Sequence, residues 1–322
     1  MAKLPISLPN LMQEHGKIKI KGLRMMYDAI VVGASFAGLA ATMQLARANR
    51  RVLVIDAGEP RNRYSDASHG FLGHDGRRPH EITAGGRKEL ARYPLVDFLD
   101  GLATSAVRTD LGFSIGLADG TCVSGARVIL ATGVSDDLPF IPGLRERWGK
   151  SVLHCPYCHG YEFAGRKLGV LATGPMSLHQ ALLLSDWAST KLFTQGNLAL
   201  DEDELAQLSA FDVEVERSVI TGLNGTSSTI ETVELEDGRC IALDALFLVP
   251  TTRMTSELAA QLGCAFDDGP TGPIIRVDES KRTSIEGVYA AGDASSPMWN
   301  GSLAVAAGVL AGVSAHQSLV FQ

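Results

Sequence analysis

The chain has 322 residues, enough for two domains with buried cores. Hydrophobic residues make up 45% and charged residues 20%, the balance of a globular protein rather than a disordered or fibrous one. A formal net charge of −7 excludes a basic nucleic-acid-binding surface as the default reading, so no nucleic-acid partner is expected.

Residues 1–24 carry Lys3, Lys17, Lys19, Lys21 and Arg24 without a continuous apolar stretch. They read as a disordered extension, or as upstream sequence ahead of a start at Met25 or Met26. A signal peptide would need an apolar core, so export is not expected and a cytoplasmic location is. No run of about 18 apolar residues occurs, so no membrane span is expected.

Tyr27 to Val32 is a short apolar run of the kind a buried parallel strand shows. Gly33-Ala34-Ser35-Phe36-Ala37-Gly38 follows, then a helical pattern through Leu39, Met43, Leu45 and Ala46. Arg51 to Asp56 closes the unit as a second strand ending in an acid. This is the dinucleotide fingerprint: Gly33 permits a tight turn, the small Ser35 lets backbone approach a pyrophosphate, and Gly38 lets helix and strand pack closely. The helix N-terminus then faces the phosphates. Asp56, 23 positions after Gly33, stands where a ribose-binding carboxylate belongs. The competing reading is a βα turn with no ligand.

Arg127 to Gly133 is another apolar strand, ending in the small-residue turn Ala131-Thr132-Gly133. His154-Cys155-Pro156-Tyr157-Cys158-His159 comes next. Cys-x-x-Cys-His also suits haem attachment, which needs export, and a zinc half-site, which lacks a second ligand pair here; no metal site is expected. A glutaredoxin-type motif would cap a helix, and no helix-period pattern begins at this point. Cys122, Cys240 and Cys264 each stand alone and read as ordinary small residues.

A second βα pattern follows, with a strand at 168–171 and a helix from Leu178 to Trp187. Its loop is Ala172-Thr173-Gly174-Pro175-Met176-Ser177. Alanine replaces the tight-turn glycine, and Pro175 removes a backbone N–H where phosphate would sit. No Lys or Arg occurs between Lys191 and Arg217, while Asp201, Glu202, Asp203 and Glu204 do. A 2′-phosphate needs cationic partners, so NADPH binding is not expected. Strand-like Asp212 to Val215 and Thr232 to Leu235, with a turn at 222–225 between them, suggest a β-ribbon. Gly287 to Asp293 is a last apolar strand ending in Gly292-Asp293, and a small-residue helix runs from Leu303 to Ala315. Taken alone, Asp293 could be a plain helix N-cap.

The fingerprint loop, Ala131-Thr132-Gly133, Cys155/Cys158 and Gly292-Asp293 resemble, in order and spacing over about residues 26 to 316, the low-molecular-weight thioredoxin reductases. That resemblance implies FAD as cofactor, with Asp293 on its ribityl chain and Arg61, Asn62, Gly133 and Gly292 bordering it. It also implies that Cys158 is the flavin-proximal thiol and Cys155 the interchange thiol. Family members carry an acid after the second cysteine. Here His159 stands there, able to do the same proton work with a pKa nearer neutrality, or merely to order the loop. Gly58-Glu59-Pro60-Arg61-Asn62, His69 to Gly76 and Cys158 to Glu162 further resemble the dithiol oxidases of gliotoxin- and holomycin-type metabolites and pyridine-nucleotide-independent thioredoxin reductases.

The expected fold is α/β with two Rossmann-like three-layer domains. The FAD domain is discontinuous, 25–139 plus 251–322, and 140–250 is an insert carrying the dithiol on a degenerate nucleotide fold. The expected activity is FAD-dependent thiol–disulfide exchange without NADPH, on a small dithiol or disulfide or a thioredoxin-like protein. Oxygen or a small electron-transfer protein would be the other redox partner, and the resemblance implies a homodimer. An NADPH-dependent thioredoxin reductase and a non-catalytic redox-sensing flavoprotein stay open beside it.

Overall fold

The computed structural model describes residues 26–321, so the extension expected at 1–24 lies outside the described residues. In chain order the elements are β1 (Tyr27–Val32), α1 (Phe36–Arg47), β2 (Val52–Asp56), α2 (Pro79–Leu90), β3 (Val96–Asp100), β4 (Ala103–Thr109), β5 (Gly112–Leu117), β6 (Cys122–Leu130) and β7 (Val134–Asp137). There follow β8 (Val152–Leu153), α3 (Pro156–His159), β9 (Lys167–Leu171), α4 (Met176–Leu184), β10 (Ser189–Phe193), α5 (Glu202–Ala210) and β11 (Glu214–Glu216). Then come β12 (Ile220–Gly225), β13 (Ile230–Leu235), β14 (Cys240–Ala242), β15 (Ala245–Leu248) and β16 (Thr251–Met254). The last are α6 (Leu258–Gln261), β17 (Phe266–Asp268), β18 (Pro273–Ile275), β19 (Val288–Ala290) and α7 (Gly301–Val320).

The first sheet runs β3-β2-β1-β6-β5-β4, with β19 also pairing β6. β1, β2, β3, β6 and β19 pair in parallel, whereas β4 and β5 add antiparallel edges. Its central strands are apolar without interruption from Ala29 to Val32 and from Val52 to Ile55 because both faces are covered there. Ala29 and Val31 meet α1 and α7 on one side, and Ile30 and Val32 meet Phe113, Leu258 and Ile275 on the other. The helical layer is thin because glycines let it be. A Cβ on Gly308 or Gly312 of α7 would collide with the carbonyl oxygen of Ala37 or Ala41 on α1.

The second sheet, β11-β10-β9-β15-β8, is wholly parallel and buries Leu168, Val170 and Phe247 against Ala181 and Leu184 of α4. The chain enters and leaves this part of the molecule side by side, because β7 pairs antiparallel with β16, Asp137 opposite Thr251.

Three expectations change. Residues 214–216 form the outer strand of the parallel sheet beside β10, not half of a ribbon, because Val215 is drawn onto the apolar face there. The ribbon is β12-β13-β14, and 222–225 lies within its first strand rather than in a turn. The last helix is longer than the Leu303–Ala315 estimate, and α7 is long and apolar enough by length and composition to cross a membrane. Its Ala307, Gly308, Ala311, Gly312 and Ala315 are buried, while Leu303, Leu310, Val313 and Val320 are exposed.

Candidate functional site

The Cys155–Cys158 pair sits between two anchors. On the upstream side, Gln180 Nε2 on α4 donates to the His154 carbonyl oxygen at 2.8 Å. On the downstream side, Trp187 supports the turn. Its ring meets Tyr157 edge-on at 5.8 Å, and a Cβ on Gly160 would lie 3.0 Å from it. The two cysteines are joined in a disulfide. Contrary to the reading that no helix starts here, Pro156 to His159 makes one helical turn, with Cys155 as its cap accepting from the Cys158 N–H at 3.1 Å. Proline at the first helical position costs no hydrogen bond, which is how one turn survives.

One cavity of about 500 Å³ brings most of the expected site residues together. Cys158 and His159 form one part of its wall, and Ser35, Arg61, Asn62, Gly133, Gly292 and Asp293 form others; Cys155 is not in the wall. That volume falls within the ~300–1,000 Å³ of ordinary ligand sites. A larger, more open hollow near Asp110 and Gly287 lies away from the dithiol, and its Arg127 is committed to Ser318.

Gly33, Gly38 and Asp56 serve the loop rather than the wall. Gly33 has φ +104°, and a Cβ on Gly38 would collide with the Gly33 carbonyl oxygen. Asp56 Oδ1 accepts from the Ala34 N–H at 3.2 Å, and its other oxygen takes the guanidinium of Arg87 from α2. The expected ribose acid is therefore already held by a cation that the sequence did not point to.

Asp293 is held too. Arg61 Nη1 donates to its Oδ2 at 3.0 Å, and Arg61 Nε donates to both oxygens of Asp136 at 3.1 and 3.0 Å. The same guanidinium lies 3.8 Å from the centre of the Trp299 ring, a cation–π contact. Burial pushes the Asp293 carboxyl above its usual range, with Arg61 opposing the shift. Despite the cost of burial, the two carboxylates hold Arg61 firmly charged.

The histidines depart from expectation. Burial, and secondarily the nearby His69, lower the His159 pKa to about 4, not toward neutrality. Burial, then Arg61 and His159, push His154 well down as well; it stands between Trp148 and Trp299, at 5.8 and 6.1 Å. At neutral pH both rings are uncharged, so His159 can accept a proton but does not stabilise a thiolate by charge.

Residues 27–308 match the family model described as pyridine nucleotide-disulphide oxidoreductase. The chain belongs to this family. Thioredoxin reductase tcpT from Claviceps purpurea (strain 20.1) is 33% identical to it over 309 residues, covering 91% of this chain and 94% of tcpT. An oxidoreductase from Agrobacterium tumefaciens is 45% identical, with a TM-score of 0.88 over 92% of this chain and 99% of that one. HlmI is 38% identical, with a TM-score of 0.86 over 92% and 93%.

Membership in the pyridine nucleotide-disulphide oxidoreductase family implies FAD, and the cavity fits it. Gly133 lines the wall with φ +69° and a Cβ there would meet no atom within 4 Å, which is the cradle a backbone-hugging ligand needs. Trp299 Nε1 and Asn62 Oδ1 are buried in the same wall without a protein partner.

The turn between β9 and α4 is closed upon itself. The Thr173 N–H donates to Ser177 Oγ at 3.0 Å, and Thr173 Oγ1 donates to the Val249 carbonyl oxygen at 2.6 Å. At the end of β10, Gln195 Oε1 accepts from the Ile220 N–H and Lys191 is paired with Glu214. Asp201 and Glu204 form a capping box on α5.

Asp136, Arg87, Trp299 and His69 were missed as site residues. They come from separate elements; His69 opens the stretch His69 to Gly76 that the resemblance singled out, but no spacing rule joins it to the others.

Proposed function

We propose that the protein is an FAD-dependent dithiol oxidase that does not draw electrons from NADPH. The observation that carries this reading is Cys158 in the wall of the cavity that Asp293, Gly133 and Ser35 also line. The Thr173 N–H spent on Ser177 and the acidic stretch after β10 support independence from NADPH, since phosphates call for free N–H groups and cations. His159 beside Cys158 in the cavity wall supports the oxidising direction, in which a substrate thiol must lose its proton.

In this reading a substrate thiolate attacks Cys155 Sγ, the Cys155–Cys158 bond breaks, and Cys158 leaves as thiolate. The second substrate sulfur attacks the mixed disulfide at the substrate's sulfur, closing the substrate disulfide and releasing Cys155 as thiolate. Two electrons pass to the enzyme pair, and two protons leave the substrate. His159, against Cys158, accepts one of them. Bound FAD, held by Asp293, Gly292, Gly133, Ser35, Arg61 and Asn62, supplies a two-electron acceptor on the Cys158 side that dioxygen can reoxidise.

Mixing the FAD-loaded protein with dithiothreitol under air should yield oxidised dithiothreitol and hydrogen peroxide in equal amounts. NADPH added anaerobically should leave the flavin's visible band intact; rapid bleaching would sink the reading. Peroxide absent in air, but dithiol oxidation restored by a small electron-transfer protein, would replace dioxygen as acceptor. Substrates are small dithiols or thioredoxin-like proteins. Self-association as a homodimer belongs to the same proposal, supported by the exposed Leu303, Leu310, Val313 and Val320 of α7.

A further inference from the structure

A strap between the 3-10 turn Arg61–Tyr64 and α2 closes over the cavity. It is pinned on itself by the Ser68 N–H to the Arg77 carbonyl oxygen at 2.7 Å and the Gly76 N–H to the Ser68 carbonyl oxygen at 2.8 Å. Phe71 pins it to the dinucleotide fold, edge-on to Phe36 at 5.3 Å. Asp75 Oδ1 accepts from the Gly70 N–H at 2.8 Å, so the strap's conformation needs that carboxylate.

This construction places one ring, His69, in the cavity wall beside Cys158 and His159. The His69 and His159 rings meet edge-on, their centres 6.2 Å apart. On its other side, His69 Nδ1 faces Glu162 Oε1 at 3.4 Å and Asp75 Oδ1 at 3.7 Å. Side-chain exposure rises outward along the series, from 22% at His69 to 35% at Glu162 and 71% at Asp75. A buried base that takes protons on every turnover must discharge them, and this is the graded chain of acceptors leading out from it.

We propose that His69 is a positioning residue that takes the proton arriving on His159 and delivers it to Glu162 at the protein surface. The inference rests on the dithiol-oxidase reading above. A proton alone moves: it leaves a substrate S–H for His159, passes to His69 through its second ring nitrogen, and leaves Nδ1 for the Glu162 carboxylate and water. The electron pair stays with the sulfur exchange, and each ring ends as it began. The groups facing His69 are Asp75 on its own strap, His159 on α3 and Glu162 just after α3. Glu162 comes with the dithiol segment and His69 with the strap.

The test is anaerobic rapid mixing of the FAD-loaded protein with dithiothreitol across a pH series, following loss of the flavin's visible band. His69→Asn should slow bleaching about tenfold and flatten the solvent isotope effect, with FAD content and melting temperature retained. Imidazole should restore part of the rate to His69→Ala. Glu162→Gln, a milder change at a half-exposed site, should slow bleaching in the same sense, and the double variant should be no slower than His69→Asn alone. Wild-type rates in His69→Asn at every pH, or losses that multiply in the double variant, would overturn the relay while leaving dithiol oxidation intact. A wild-type protein that dithiothreitol fails to bleach would overturn the dithiol-oxidase reading instead, and the relay with it.

Discussion

The two βα turns of this chain each follow a central parallel strand, β1 and β9, and are built differently. At the first, Gly33 and Gly38 are required by collisions that any Cβ would cause, and Ser35 and Phe36 face a cavity. At the second, a Cβ on Gly174 would meet nothing within 4 Å, and the turn's Thr173 N–H is spent on Ser177. The second sheet keeps its strands and helix although its turn lacks the first turn's glycine spacing, because burial of Leu168, Val170 and Phe247 stabilises it.

The largest effect should come where the two halves meet. Cys158→Ser should lower dithiol oxidation by on the order of 10³-fold or more while FAD absorbance persists. Retained turnover would detach the cavity from the dithiol. Next, Gly38→Ala should reduce FAD retention and destabilise the fold by about 3 kcal/mol, seen in urea unfolding with and without added FAD. A tolerated alanine would mean the first turn is as slack as the second.

Acid should destabilise the protein through His159. Its folded pKa of about 4 lies below the ordinary value of 6.5, so the unfolded chain binds more protons between the two. Stability then falls as pH drops through that window, by on the order of 3 kcal/mol between pH 7 and pH 4. Denaturant midpoints should show the fall in wild type and a shallower one in His159→Gln; parallel curves would refute it.

Smaller changes probe the second turn. Ser177→Ala removes the buried acceptor of the Thr173 N–H and should cost about 1–2 kcal/mol in chemical denaturation, without creating NADPH-dependent bleaching. Gly174→Ala should be neutral or stabilising by about 0.5 kcal/mol in the same assay, since alanine suits a non-left-handed residue before proline. A loss of more than about 1 kcal/mol would show this turn to be as constrained as the first.

Periodicity and punctuation made much of this legible. The apolar runs at Ala29–Val32 and Val128–Leu130 read as buried strands, and each is a central strand with both faces covered. Val215 was misread because a three-residue strand carries too little pattern to reveal which sheet claims it. The His159 pKa ran opposite to expectation because burial is a property of everything packed around a ring, and no motif encodes it.

What the sequence by itself determined is local: the glycine turns, the apolar strands, the dithiol spacing, and a second loop short of glycine and cations. Only the tertiary structure decided that Arg61 clasps Asp293 and Asp136 and that His69 stands beside His159. The reason is separation along the chain. Asp293 lies 232 residues from Arg61, and pairing at that range is set by how two sheets and a strap close on one another.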